Sequence, residues 1–202
     1  MIFGVSSMTA PLLKVMLKKP GPSLRGANCS KWDYSEHFDP KKIDEIHQLL
    51  VYVLEEAGCE IYWMEGDDKG NADAVFTYDA SLMTRAGAIL MSPGKILRAG
   101  EQELHRQFYA AHDIPILGEI EGNASAEAGD TLWLDDKTLI IGRGFRTNTC
   151  GAEQIMNLVA PLGIDCHIFD LPCYHGSDSC LHLMSLISMV DTRTALIYQP
   201  LL

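Results

Sequence analysis

The sequence predicts an α/β protein assembled from repeated hairpin–helix–strand units. Three observations predict it. Three segments read as a helix that turns, within one residue, into an apolar strand. Pairs of short apolar stretches, each interrupted by turn residues, lie between those segments. The strands after the helices begin at Cys59, Ile114 and Ile164, spacings of 55 and 50 residues. A period of that size signals a repeat architecture even where no sequence identity is visible. Equivalent strands of such a repeat can line a common axis.

Taken in order, Leu12 to Leu17 reads as a lone strand. Pro40 to Ala57 has helical periodicity, with Ile43, Ile46, Leu49, Leu50, Val53 and Leu54 expected on one face. Asp39 is a candidate N-cap, Pro40 suits the first helical position and Gly58 stops the helix before the strand Cys59 to Met64. Ala74 to Phe76 and Ala88 to Met91 are expected to flank a turn around Arg85–Gly87. The second helix, Gly100 to His112, leads into Ile114 to Ile120. Thr131 to Leu134 and Leu139 to Ile141 flank the Asp135–Asp136–Lys137 turn. The third helix, Gly151 to Leu162, is closed by Gly163 and followed by Ile164 to Leu171. Leu183 to Met189 and Thr194 to Tyr198 form a last hairpin about Asp191–Thr192–Arg193. Its own helix and strand are expected to be missing, which leaves an open ring with uncovered apolar faces.

Composition narrows the function. The chain has 202 residues, 47% of them hydrophobic and 21% charged, enough for one packed domain. The net charge of −11 is spread without basic clusters, which argues against a nucleic-acid partner and suits a cationic small molecule. No apolar run approaches the ~18 residues needed to span a bilayer. The first residues lack a basic leader, so a membrane partner is not expected and a cytoplasmic location is. Six cysteines in this context read as reduced thiols.

Three polar residues stand just before successive hairpins: Asp73, Glu127 and His182, at spacings of 54 and 55. In a ring of repeats, equivalent positions converge, and two carboxylates with a histidine would make a compact acid–base site. Acids and histidines beside turns are also common as solvated surface residues. The crowd of Cys166, His167, Cys173, His175, Cys180 and His182 invites a zinc reading, but no Cys-x-x-Cys pair is present and alternation along a strand scatters the groups. No metal is expected. Gly-x-Ser-x-Gly and the Rossmann glycine spacing are absent.

Five local motifs carry a family resemblance. Asp73-Ala74-Val75-Phe76-Thr77-Tyr78-Asp79 resembles an Asp-x-x-Phe-x-x-Asp substrate motif, with Tyr78 where an acid or arginine often stands. Ser92-Pro93-Gly94 to Arg98-Ala99-Gly100-Glu101 is similar to a Pro-Gly…Arg-x-Gly-Glu turn. Glu127-Ala128-Gly129-Asp130 resembles Glu-Gly-Gly-Asp, with alanine for the first glycine. Arg146-Thr147-Asn148 and Gly151-Ala152-Glu153 resemble an Arg-Thr-Asn…Gly-Ala-Glu stretch, and Cys180-Leu181-His182-Leu183 resembles the family's His-Leu motif. In this order they resemble the pentein superfamily of guanidine-modifying enzymes, which includes dimethylarginine dimethylaminohydrolases, arginine deiminases and amidinotransferases.

The resemblance implies a pentein-type α/β propeller of ββαβ repeats, incomplete at the C-terminus. Residues 1–202 would then form a single domain that lacks the last part of the fourth module and the fifth. It implies covalent catalysis on a guanidinium without a cofactor. Asp79 would grip the guanidinium, with Asp73 and Glu127 beside it, through paired charge-assisted hydrogen bonds. His182 would protonate the leaving amine and then activate water or an acceptor amine. Glu127 would orient His182 or share the guanidinium, and Arg98 and Arg146 would hold the substrate carboxylate. The family's nucleophilic cysteine belongs to the fifth module. Cys29 and Cys59 precede the motifs, Cys59 reads as core, and Cys150 only adjoins the Arg-Thr-Asn stretch. The chain as given is therefore expected to turn over little substrate. Amidine hydrolysis on arginine or a methylated arginine is the leading expectation and amidino transfer the second. A non-catalytic protein that binds guanidino ligands or assembles with itself is the alternative of another class. A homo-oligomer is expected, with Leu183 to Leu202 in its interface.

Overall fold

The computed structural model of the chain describes residues 3–35, 38–173 and 181–201. The elements run β1 (Lys14–Leu17), α1 (Pro22–Arg25), α2 (Cys29–Trp32), α3 (Ile43–Glu56), β2 (Glu60–Trp63), β3 (Ser81–Thr84), β4 (Gly87–Leu90), α4 (Glu101–Ala111) and β5 (Ile116–Glu119). They continue with β6 (Thr131–Asp135), β7 (Thr138–Arg143), α5 (Thr149–Val159), β8 (Asp165–Asp170), α6 (Leu183–Leu186), β9 (Ile187–Met189) and β10 (Ala195–Ile197).

The repeat read from the sequence is present. Two sheets share one plan: β3 and β4, like β6 and β7, form an antiparallel hairpin, and the second strand pairs in parallel with β5 or β8. The parallel pairing needs a long crossover, which α4 and α5 supply. The first unit, β1 and β2, is a parallel pair joined through α3, and the last, β9 and β10, is a hairpin. Among the described residues no third strand flanks either pair.

Helices α4 and α5 hold the core. Leu104, Phe108 and Tyr109 of α4 pack on Ala88 and Leu90 of β4, with Met64 and Ile114. Ala152, Ile155 and Val159 of α5 pack on Ile89, Trp133, Leu139 and Ile141. Asn148 caps α5 by accepting from the Gly151 N–H, and Gly163, at φ +70°, ends the 3-10 turn that follows.

Four expectations change. The strand at Leu12 to Leu17 is not alone: β1 lies in register with β2, Val15 opposite Ile61. The hairpin partner of β4 is Ser81–Thr84 and not Ala74 to Phe76, which is caught in a 3-10 turn by hydrogen bonds from Ala74 N to Asn71 O and Phe76 N to Asp73 O. Leu183–Leu186 forms one helical turn ahead of β9, and Leu183 and Leu186 are buried within their own chain, while Val190, Leu196, Ile197 and Tyr198 of the hairpin are exposed. Helix α3 starts three residues later than expected and does not bury one apolar face. Ile43, His47, Val51 and Leu54 are half-buried, whereas Ile46, Leu49, Leu50 and Val53 are exposed. The apolar arc of α3 is wider than the strip that a two-stranded sheet covers. No helix among the described residues is long and apolar enough to cross a membrane.

Candidate active site

The segments that precede the hairpins converge. Asp79 lies before β3, Glu127 before β6, and His182 at the N-cap of α6 before β9. One side-chain donor or acceptor atom of each lies within 4.8 Å of the others. Glu127 and His182 converge as their spacing predicts, with Asp79 in the place of Asp73 as the third member.

Glu127 is almost fully buried, yet each carboxylate oxygen has partners. Oε1 accepts from the Gly94 N–H at 2.9 Å and the Lys95 N–H at 3.2 Å. Oε2 lies 2.7 Å from Nε2 of His182, and Nη1 of Arg146 is 3.8 Å from Oε1. Burial alone would raise the pKa of Glu127. The hydrogen bond and charge of His182, with Arg146 and Arg98, outweigh it and hold the carboxyl below its usual range. Glu127 is thus kept as the anion that fixes the imidazole.

Two residues that no role was expected of support this pair. Asp130, fully buried, accepts from Thr147 Oγ1 at 2.7 Å and from the Leu183 N–H at 3.0 Å, which anchors the backbone next to His182. Thr147 Oγ1 in turn accepts from the Glu127 N–H. Burial pushes the Asp130 carboxyl up to about 6. Both residues lay inside motifs already quoted, so the signal existed, but a motif does not say which member binds ligand and which braces the site.

Asp79 takes the Gly129 N–H on Oδ1 at 3.1 Å and Nη1 of Arg98 on Oδ2 at 2.6 Å. Arg98 is buried and committed: Nε and Nη2 donate to Glu101 Oε2 at 2.9 and 2.7 Å, and Nη2 also reaches Phe76 O at 3.2 Å. These contacts make Arg98 the internal counter-ion of Asp79 and Glu101. Burial, only partly offset by Arg98, pushes the Glu101 carboxyl up to about 7, with Asp73 and Asp79 adding repulsion. Asp73 is also occupied: Tyr34 donates to Oδ1 at 2.6 Å and Lys95 Nζ to Oδ2 at 2.9 Å, with Lys95 lying over the Trp32 ring. Arg146 differs. It is buried, its single ion pair is long, and Nε has no hydrogen-bond partner among the described residues. A buried guanidinium donor left open is a place for an external acceptor. Cys180, two residues before His182, lies outside the described residues, as does His175.

Gly129 is where the site is tightest. A Cβ there would stand 2.7 Å from Asp79 Oδ1 and 2.8 Å from His182 Cγ. Gly129→Ala is therefore expected to push Asp79 and His182 apart at an overpacking cost of about 1–3 kcal/mol. A thermal melt should show a fall of several degrees, at roughly 2–4 °C per kcal/mol for a domain of this size. An unchanged melting temperature would mean that the two side chains have room to move.

Residues 71–202, well over half of the chain, match the family model described as arginine deiminase. Over 173 residues the chain is 26% identical to the N(G),N(G)-dimethylarginine dimethylaminohydrolase of Pseudomonas aeruginosa, covering 86% of this chain and 63% of that protein. The chain thus spans less than two thirds of that relative's length. A solved structure of the Pseudomonas aeruginosa enzyme, a cysteine-to-serine mutant complexed with citrulline, superposes with a TM-score of 0.77 at 24% identity, covering 92% of this chain and 69% of that one. An amidinotransferase of the saxitoxin biosynthetic pathway from Microseira wollei shares the fold, with a TM-score of 0.68 at 14% identity over 96% of this chain and 68% of its own. The repeat of hairpin, helix and strand, the convergence of Asp79, Glu127 and His182, and the match to the family model lead to one conclusion: the chain belongs to the arginine deiminase family of the pentein superfamily.

Proposed function

We propose that the protein binds the guanidinium group of arginine or a methylated arginine and belongs to a covalent Cys/His amidine hydrolase. The observation that carries this reading is the Glu127–His182 pair held against the Asp79 carboxylate. A guanidinium is planar and cationic and suits carboxylates that accept along its edges. Four carboxylates, Asp73, Asp79, Glu101 and Glu127, share three cationic partners here, Lys95, Arg98 and Arg146, while Asp130 is held by Thr147 and the Leu183 N–H. The acidic surplus sits in a dry place and favours a cationic ligand. Asp79 takes the guanidinium edge, and the open Nε of Arg146 takes the ligand carboxylate.

In the chemistry of this reading, His182 donates a proton to the departing amine, and the nitrogen so freed then removes a proton from water. Glu127 keeps the imidazole oriented and stabilises its cationic form. Among the described residues no cysteine enters the hydrogen-bonded cluster. The nucleophile is carried over from the family resemblance, and ligand binding is the readout that does not need it. Amidino transfer would use the same grip, with an amine in place of water. Citrulline as product identifies hydrolysis, and ornithine identifies transfer.

The test is a calorimetric titration of the chain with L-arginine and methylated arginines across pH. Glu101 is pushed up to about 7, and a cation bound at Asp79 favours its ionised form. A cationic ligand is therefore expected to bind more tightly as pH rises from about 6 to 8, releasing a proton from Glu101 near pH 7. Glu101→Gln should remove that release. Absence of binding by any guanidino compound in the folded chain would overturn the reading. Binding without proton release would overturn the role of Glu101 alone. A second copy of the chain is the remaining partner in this proposal.

A further inference from the structure

The Lys95 ammonium is built into the structure as a fixed cation. Its side chain is only 15% exposed. Nζ donates to Asp73 Oδ2 at 2.9 Å and to Trp32 O at 2.8 Å. It lies 5.1 Å from the centre of the Trp32 ring and 6.0 Å from that of Tyr34, within reach of a cation–π attraction. One carboxylate, one carbonyl and two rings thus close around one ammonium. The backbone of the same residue belongs to the candidate site. The Lys95 N–H meets Glu127 Oε1 at 3.2 Å, the oxygen that also faces Nη1 of Arg146 at 3.8 Å. The residue before it is pressed on the Arg146 backbone: a Cβ at Gly94 would stand 2.8 Å from both Cα and O of Arg146. Lys95 therefore neighbours the arginine whose Nε is open, and no step of the chemistry above uses its ammonium.

We propose that Lys95 sets the ligand class: the site takes guanidino acids without an α-ammonium group in preference to α-amino acids such as arginine. This rests on the guanidinium at Asp79 and the carboxylate at Arg146 proposed above, and narrows that reading. In arginine the ammonium is bonded to the carbon that carries the carboxylate. A carboxylate at Arg146 therefore brings the ammonium to the Lys95 end of the site. Of the acids at that end, Glu127 is held by two amides and His182, and Asp73 is already paired with Lys95. A carboxylate oxygen accepts more than once, so the exclusion comes from charge and not from a shortage of lone pairs. Two ammonium groups on one carboxylate repel each other, and burial removes the water that would screen them. Rejection of a ligand by a like charge is a general source of specificity. A ligand with a guanidinium at one end and only a carboxylate at the other meets no such conflict, and Lys95 and Arg146 both attract its anion.

Two ligands that differ in one group test it: L-arginine and desamino-arginine, which has hydrogen in place of the α-ammonium. Calorimetric titration of the full chain at neutral pH is expected to give a dissociation constant at least about 10-fold lower for desamino-arginine, the effect of one charged contact. Lys95→Met keeps the length of the side chain and its packing on Trp32 but removes the charge, which leaves Asp73 to take the α-ammonium. L-arginine should then gain at least about 10-fold, desamino-arginine should gain nothing, and the preference should vanish. Lys95→Arg keeps a cation and should keep the preference. Circular dichroism shows whether each variant is folded. Where Lys95→Met is not, the two ligands compared on the unsubstituted chain and on Lys95→Arg give the answer. L-arginine binding the unsubstituted chain as tightly as desamino-arginine does, or an unchanged preference in folded Lys95→Met, would overturn this proposal alone. Failure of both ligands to bind the unsubstituted chain would overturn the guanidinium reading and this proposal with it.

Discussion

Replacing Glu127 by alanine is expected to cost about 3–5 kcal/mol of folding stability, the range for removing one member of a buried ion pair. The side chain is the meeting point of four donors from three segments: the Gly94 and Lys95 amides, His182 Nε2 and, at longer range, Arg146 Nη1. Arg146 and His182 are buried, so removal of the carboxylate takes an ionic acceptor from two buried side chains as well as from the two amides. At roughly 2–4 °C per kcal/mol the melting temperature should fall by more than 6 °C. Glu127→Gln keeps the volume and one acceptor oxygen. It should recover the part that depends on the two amides but not the part that depends on charge beside His182. The two variants measured together by denaturant titration thus split the backbone contribution from the ionic one. Equal losses in both would mean that the amide contacts matter little. A loss below about 1 kcal/mol in the alanine variant would contradict the buried arrangement.

Replacing Asp79 by asparagine is expected to weaken the binding of an arginine-like ligand by about 1.5–3 kcal/mol, or roughly 10- to 150-fold, the usual range for a charged hydrogen-bond partner. Asparagine retains an oxygen for the Gly129 N–H or for Arg98, so the fold should change less than in Glu127→Ala. Isothermal calorimetry on the folded variant reads the affinity directly. Unchanged affinity would remove Asp79 from the guanidinium grip. An Asp73→Asn variant is the natural comparison: Asp79 and not Asp73 stands with Glu127 and His182, and Asp73 is tied to Tyr34 and Lys95, so its effect should fall mainly on stability.

The site was half legible in advance because the signals that encode it are local. Period and turn residues located the segments before each hairpin, and short motifs marked Glu127, His182 and Asp79. Spacing and motif differ over Asp73 and Asp79: the resemblance puts Asp79 first on the guanidinium. The two stand six residues apart in one loop, and the repeat spacing pointed to Asp73. Tyr34 and Lys95, 39 and 22 residues away, hold the two oxygens of Asp73, while Asp79 stands with Glu127 and His182. Pairings over such separations leave no trace in a local pattern. The same holds for Arg98, whose motif suggested a ligand contact and whose donors go to Glu101, Asp79 and Phe76. Asp130 and Thr147 escaped notice as braces for a related reason: what they hold is the backbone at Leu183 and Glu127.

What the sequence by itself determined is the order of hairpins, helices and strands, since periodicity of apolar residues and the glycines that end helices act over a few neighbours. It also determined that a carboxylate and a histidine recur at equivalent places. Tertiary structure decided the rest. It chose which carboxylate completes the cluster, because the chain path brings Asp79, and not Asp73, beside Glu127 and His182. It left Arg146 with an open donor and Arg98 with none, because burial gave one two carboxylates and the other only a distant one. And it turned Ile46, Leu49, Leu50 and Val53 outward, because β1 and β2 form a sheet too narrow to cover the whole apolar arc of α3.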